Sequence, residues 1–252
     1  MDRSNARKTG RSAFRSLASL LPIALLGATA GSPATCPADG RWDRTADFGW
    51  TCRYRTDDVR LIAAKADVSV VFMGDSITEG WAIGDPTFFA NGQVDRGISG
   101  QTTPQMVIRF APDVLALKPR VVHIMGGTND IAGNTGPMTI AQTKANIRRM
   151  AEMAHARGIR VVIASILPAR AFGWKKEARP AATIAELNQW LRDYAKRRGF
   201  VYADYYSAMA ESDGGLPASL SRDGVHPNKA GYAVMRPIAE AAIRVAGTQP
   251  RR

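Results

Sequence analysis

A hydroxyl that is to attack a carbonyl carbon needs a base beside it, a carboxylate behind that base, and N–H donors facing the oxygen that turns negative. The chain holds a residue type for each task, in four separate segments. Ser76 follows Gly74-Asp75, where a glycine permits a sharp exit and the serine hydroxyl and N–H can stand at the mouth of a site. Gly100, within Gly97-Ile98-Ser99-Gly100-Gln101-Thr102-Thr103, allows close approach of a ligand and offers a second N–H. Asn129, within Gly126-Gly127-Thr128-Asn129-Asp130, carries a neutral amide suited to an oxygen that becomes negative only in the transition state. Asp223 and His226, in Asp223-Gly224-Val225-His226-Pro227-Asn228, can pair within one loop, which leaves the far ring nitrogen free to take a proton. Each segment alone has a plainer reading as a cap or a turn.

Rival residues are few. His123 falls inside an apolar run and reads as a buried strand residue, and His155 falls late on an Arg-containing helix, where it reads as solvated. Asp75 and Asp130 read as loop scaffolding, and Asp204 is an alternative partner for His226. Three histidines and two cysteines leave little material for a histidine-rich metal site, a cysteine-rich zinc module or an iron–sulfur centre. With no glycine-rich nucleotide loop in the sequence either, neither a metal nor an organic cofactor is expected.

The elements that must position these residues follow from the apolar pattern. Runs over residues 68–73, 121–125, 160–166 and 200–203 read as strands whose near-continuous apolar character suits a sheet buried on both faces, and 94–98, with Asp95 and Arg96 inside it, reads as a fifth. Helical spacing links Val107, Phe110, Val114 and Leu117, with Thr103 as the expected cap and Pro104 as the expected first helical residue. It also links Ile140, Ile147, Met150 and Ala154, then Ile184, Leu187, Leu191 and Tyr194, and finally Tyr232, Met235, Ala239 and Ile243. Pro237 is expected to kink the last helix or end it early. Strand–helix alternation in 252 residues predicts one α/β domain, a three-layer α/β/α sandwich around a five-stranded parallel sheet, doubly wound and flavodoxin-like. Ligands of such folds bind beyond the C-terminal strand ends, and the four segments lie there.

Taken together and in this order, Gly74-Asp75-Ser76, Gly100, Gly126-Gly127-Thr128-Asn129-Asp130 and Asp223-x-x-His226 resemble the SGNH (GDSL) esterase and acylhydrolase family. The stretch from Gly97 to Phe110 and the segment Gly127-Thr128-Asn129-Asp130-Ile131 are most similar to the bacterial platelet-activating-factor acetylhydrolase-like branch. The resemblance implies a serine esterase with Ser76 as nucleophile, His226 as base and then acid, and Asp223 as its orienter. It implies an oxyanion hole made by the Ser76 and Gly100 N–H groups and the Asn129 amide. An acyltransferase would use the same residues, and a binding module could share the fold without the chemistry.

The N-terminus reads as an export signal. Arg3, Arg7, Lys8, Arg11 and Arg15 precede an apolar run over residues 17–26, and Ala28-Thr29-Ala30 forms a small-x-small cleavage pattern. The run is short for a membrane span, so membrane contact is expected only through the uncleaved leader. The expected layout is a signal peptide over 1–30, an extension over 31–66, the hydrolase domain over 67–247 and a tail over 248–252. Removing the leader takes the chain from 34 basic and 22 acidic residues to 29 and 21, a net charge of +8. The remaining bases form scattered doublets without interleaved aromatics, which argues against a nucleic-acid partner. In an oxidising compartment Cys36 and Cys52 are expected to form a disulfide closing the segment that holds Trp42 and Trp50. Expected substrates are short-chain acyl esters, either O-acetylated carbohydrate or lysophospholipid. The expected pocket walls are the 81–89 stretch and the 169–176 loop, with Phe172 and Trp174.

Overall fold

The computed structural model describes residues 36–37 and 41–249. The expected leader over 1–30 and residues 250–252 of the expected tail lie outside the described residues.

Five parallel strands form one sheet: β1 (Val70–Gly74), β2 (Gln93–Gly97), β3 (Val121–Ile124), β4 (Arg160–Ala164) and β5 (Val201–Ala203). Their spatial order is β2-β1-β3-β4-β5, all parallel, the flavodoxin-type doubly wound arrangement. Successive strand residues point to opposite faces, so Val71 and Met73 enter one core while Val70 and Phe72 enter the other. The first core is closed by α3 (Thr103–Phe110), α5 (Ile140–His155) and α6 (Pro180–Arg198); the second by α2 (Ser76–Gly84), α7 (Tyr205–Met209) and α8 (Lys229–Thr248). A short α4 (Thr128–Ala132) follows β3, and α1 (Arg55–Ala63) belongs to the extension.

Three local expectations are corrected. Thr102, not Thr103, caps α3, and its side chain and backbone N–H meet the Gln105 side chain in a capping box. Thr103 is drawn away because its N–H and hydroxyl both donate to the buried carboxylate of Asp130. The predicted 103–117 helix also changes pitch: at Pro112, which has no N–H to donate, it widens into a π turn over Ala111–Leu115. Pro237, by contrast, ends nothing. Helix α8 runs through it to Thr248, because Tyr232 and Met235 before it and Ala239, Ala242 and Ala246 after it are all buried against the sheet. Tertiary packing of one continuous apolar face outweighs the lost hydrogen bond.

The strand ends lie level: Gly74 pairs with Gly97, and Met73 with Ile124. The segments leaving β1, β2 and β3 therefore emerge along one rim, at the point where the strand order reverses.

Candidate active site

Ser76 is the first residue of α2. Asp75 caps that helix by accepting the Ile77 N–H at 3.0 Å, and burial pushes its carboxyl up to about 6. Gly74 has no room for a side chain, since a Cβ there would run into Thr78, and this tight exit presents Ser76 at the rim. The second wall is the 221–227 loop, wound around its own polar groups. The Ser221 hydroxyl donates to the His226 carbonyl at 3.0 Å and accepts the Gly224 N–H at 2.8 Å. One Asp223 oxygen accepts the Val225 and His226 N–H groups at 3.0 and 2.8 Å. The other lies 2.7 Å from the His226 Nδ1. Burial works to raise the Asp223 carboxyl, but these N–H and imidazole contacts outweigh it and hold the group below the usual carboxylate range.

Helix α8, which begins two residues after that loop ends, is keyed to α2. The Tyr232 hydroxyl donates to the Ile77 carbonyl at 2.9 Å, and its ring stacks on Trp81 with centroids 5.7 Å apart. Arg236 reaches Asp85, just past the end of α2, at 2.9 Å. The result is a 2.9 Å contact between Ser76 Oγ and His226 Nε2. Serine, imidazole and carboxylate thus stand in one hydrogen-bonded row. His226 and Asp223 keep 33% and 48% of their side-chain surface exposed, so the row opens to water.

Gly100 turns with φ +76°, a conformation L side chains rarely adopt, and a Cβ there would meet nothing within 4 Å. Its N–H and that of Ser76 are taken up by no backbone carbonyl among the described residues. Asn129 is 3% exposed; its amide donates to the Gln101 carbonyl at 3.0 Å and lies 3.4 Å from an Asp75 oxygen, while its own Oδ1 accepts from Asn134 at 2.8 Å.

The rivals are all otherwise engaged. His123 is fully buried and meets the Tyr205 hydroxyl at 2.8 Å. His155, expected in solvent, is half-buried with its ring edge-on to Phe200. Asp204 caps α7 and pairs with Arg192 at 2.6 Å. Asp130 joins α4 to Thr103 and Thr143, and its burial raises its carboxyl. Of the expected pocket walls, Trp81 and Phe88 are buried core residues, as is Phe172. They dock α2 and the 169–176 loop and line no surface. Ile83 and Trp174 are exposed instead, and of the two it is Trp174, 46% exposed and stacked on Phe172, that has its ring centroid 6.0 Å from that of His226.

Three residues that sequence reasoning passed over hold the site together. Arg109, fully buried, donates to the Gly74 carbonyl at 2.8 Å, to Asp113 at 2.8 Å and to the Gln101 side chain at 2.5 Å. Gln101 in turn donates to Gly49 of the extension at 2.8 Å and receives the Asn129 amide on its carbonyl. Asn134 is the third. The available signal was a guanidinium placed between Met106 and Phe110 on an apolar helix face. Among the described residues no group of three or more His, Cys, Asp or Glu is placed to hold a metal.

A serine–imidazole–carboxylate row at the switch point of a flavodoxin-type sheet defines a serine-hydrolase-type site on a doubly wound fold. The profile of the GDSL-like Lipase/Acylhydrolase family matches residues 72–234, and the chain belongs to that family, an esterase or acylhydrolase by class. Two solved structures are 41% identical to it. One, from Bacteroides fragilis NCTC 9343 and described as an acylhydrolase, covers 80% of this chain and 99% of its own at a TM-score of 0.76. The other, a GDSL-like lipase from Bacteroides thetaiotaomicron VPI-5482, covers 79% and 99% at 0.75. A Streptococcus pneumoniae structure described as a platelet activating factor protein shares the fold at 19% identity, covering 79% and 95% with a TM-score of 0.67. The lipoprotein YqeF of Bacillus subtilis (strain 168) is 30% identical over 142 residues, 48% of this chain and 58% of that protein's length.

Proposed function

We propose that the protein is an exported serine esterase that removes short acyl groups through an acyl–Ser76 intermediate. The observation that carries this reading is the unbroken row Ser76 Oγ, His226 Nε2, His226 Nδ1, Asp223, with contacts of 2.9 and 2.7 Å. In the first step Ser76 Oγ bonds to the ester carbonyl carbon as its proton passes to His226 Nε2, and Asp223 stabilises the resulting imidazolium. The carbonyl oxygen, now negative, faces the Ser76 and Gly100 N–H groups and the Asn129 amide. His226 then gives its proton to the alcohol oxygen as the ester C–O bond breaks. Water repeats the sequence on the acyl–serine, releasing the acid and restoring the hydroxyl. The open exposure of His226 and Asp223 gives water access to the acyl–serine, and product analysis separates hydrolysis from transfer to a sugar hydroxyl.

The surroundings support a short-chain ester over a long lipid. A cavity of about 710 Å³ lies against the loop of Gly100 through Ser99 and against α2 through Glu79, and its other walls include Trp42, Trp50, Asp43, Asp47 and Arg53. The two indoles stack on each other with centroids 4.8 Å apart, under Arg44 and Arg53, and Ser76, Asn129, Asp223 and His226 are not among the cavity's walls; its charged lining beside the site gives an alkyl chain little to bury against. The Cys36–Cys52 disulfide is formed, which supports export to an oxidising compartment.

The test is a p-nitrophenyl ester series from acetate to palmitate, with Ser76→Ala as the blank. The expected result is highest kcat/KM at acetate and no turnover in Ser76→Ala, whose fold is checked by circular dichroism. Turnover that survives the substitution rejects the mechanism; a preference for palmitate rejects the substrate class.

A further inference from the structure

Asn129 can serve as an oxyanion donor only if its nitrogen, and not its oxygen, faces the substrate. The two ends of an amide are nearly the same shape, so something must set the polarity. The Gln101 carbonyl holds the nitrogen end, and one residue outside the four segments holds the oxygen end. Asn134 Nδ2 donates to Asn129 Oδ1 at 2.8 Å and to the Gly100 carbonyl at 3.3 Å. It therefore grips both of the oxyanion segments that follow β2 and β3. The polarity of Asn134 is itself set from outside: its Oδ1 accepts the indole N–H of Trp174 at 3.1 Å. An indole nitrogen can only donate. Trp174 fixes the oxygen end of Asn134 and Asn134 that of Asn129, in agreement with the Gly100 and Gln101 carbonyls, which can only accept and so hold the two amide nitrogens, and the Asn129 nitrogen is left facing inward. The Gln101 carbonyl holds one of its two hydrogens at 3.0 Å. The other has only a 3.4 Å contact with Asp75, and a developing oxyanion can take it over.

We infer that Asn134 and Trp174 are positioning residues for the oxyanion hole, a one-way donor relay that orients Asn129 and ties down the Gly100 loop. Trp174 has a second position in the same chemistry. Its exposed ring stands 6.0 Å from the His226 ring, so the residue that starts the relay is also the aromatic wall a bound ester meets. The inference rests on the reading of Asn129 as a donor in Proposed function, and its test separates the two.

The experiment is a double-mutant cycle on p-nitrophenyl acetate hydrolysis. Asn129→Ala is expected to lower kcat by about 10²–10³-fold, as for loss of one oxyanion donor. Asn134→Ala is expected to lower kcat by about tenfold while KM stays within about twofold, and Asn134→Asp, which turns a carboxylate toward the Asn129 oxygen, by more. Trp174→Phe replaces the indole by a smaller phenyl ring and removes the N–H donor; the lost donor is expected to lower kcat by about threefold, any rise in KM reports the smaller aromatic wall, and the variant guards against misfolding of the others. The Asn129→Ala/Asn134→Ala double variant is expected to be no slower than Asn129→Ala alone, because Asn134 then has nothing left to orient. Losses that multiply in the double variant overturn the relay, as does an Asn134→Ala effect confined to KM. An Asn129→Ala variant with unchanged kcat removes the donor and the relay together, while the Ser76→Ala blank reports independently on the esterase reading.

Discussion

Asp223 shows how a short loop can assemble half of a reactive row by itself. With the chain reversing over four residues, its carboxylate reaches both the His226 N–H and the His226 ring. That local closure is why the pair was legible from spacing alone. The Asp223 carboxyl is held below its ordinary range, so it stays charged at neutral pH, which is the form the proposed mechanism needs beside His226. Asp223→Asn keeps the shape and removes the charge. The expected result is a fall in kcat of about 10²–10⁴-fold, the usual range for general acid–base catalysis, with KM for p-nitrophenyl acetate little changed. A fall of less than threefold would mean that the half-exposed carboxylate only shapes the loop. Gln101, Arg109 and Asn134 were not legible in the same way. Their partners include Gly74, Gly49, Gly100 and Trp174, remote in sequence, and an amide or guanidinium names no partner until the chain is folded.

Between elements, the clearest gap in the sequence reading is α1. Its one fully buried residue is Asp58, so it shows no apolar stripe by which a helix could be recognised. It is anchored by charge instead. Arg96 on β2 is 2% exposed and contacts Asp58 at 2.6 Å and Asp57 at 2.8 Å, with its guanidinium over the Tyr54 ring at 4.6 Å. Tyr54 itself donates to the Gly97 carbonyl, at the start of the loop that carries Gly100. The extension thus buttresses the rim of the site from behind. Breaking a buried pair by removing one partner typically costs about 3–5 kcal/mol, because the other charge is left uncompensated. Asp58→Ala is expected at the low end, about 3 kcal/mol, since Asp57 remains; a urea midpoint series measures it. A change below about 1 kcal/mol would mean that Arg96 finds water or Asp57 alone sufficient. The helices that cover the sheet were legible because burial wrote a 3.6-residue period into them, and the same burial carried α8 past Pro237.

At the scale of the whole molecule, a sheet covered on both faces leaves an unmistakable trace in apolar strands, and it also buries whatever polar residue those strands contain. His123 on β3 is the instance. It is fully buried between the two helical layers, pairs with Tyr205, and its Nδ1 has no hydrogen-bond partner among the described residues. Burial disfavours the charged ring and drives its pKa from 6.5 down to about 3. The sign of the consequence follows from linkage. Above 6.5 the ring is neutral in both the folded and unfolded chain, and nothing depends on pH. Below 6.5 the unfolded chain takes up a proton that the folded protein refuses, so stability falls as pH drops, and it continues to fall until about 3. By pH 5 this one residue is expected to cost about 2 kcal/mol. His123→Gln keeps an amide within reach of the Tyr205 hydroxyl and removes the titration. Stability measured by urea unfolding at pH 7, 6 and 5 is therefore expected to decline more steeply in the natural protein than in the variant, with the two curves diverging by about 1.4 kcal/mol per unit below 6.5. Parallel curves would show that the ring is protonated inside the fold, and would require a charge partner for it in the second core.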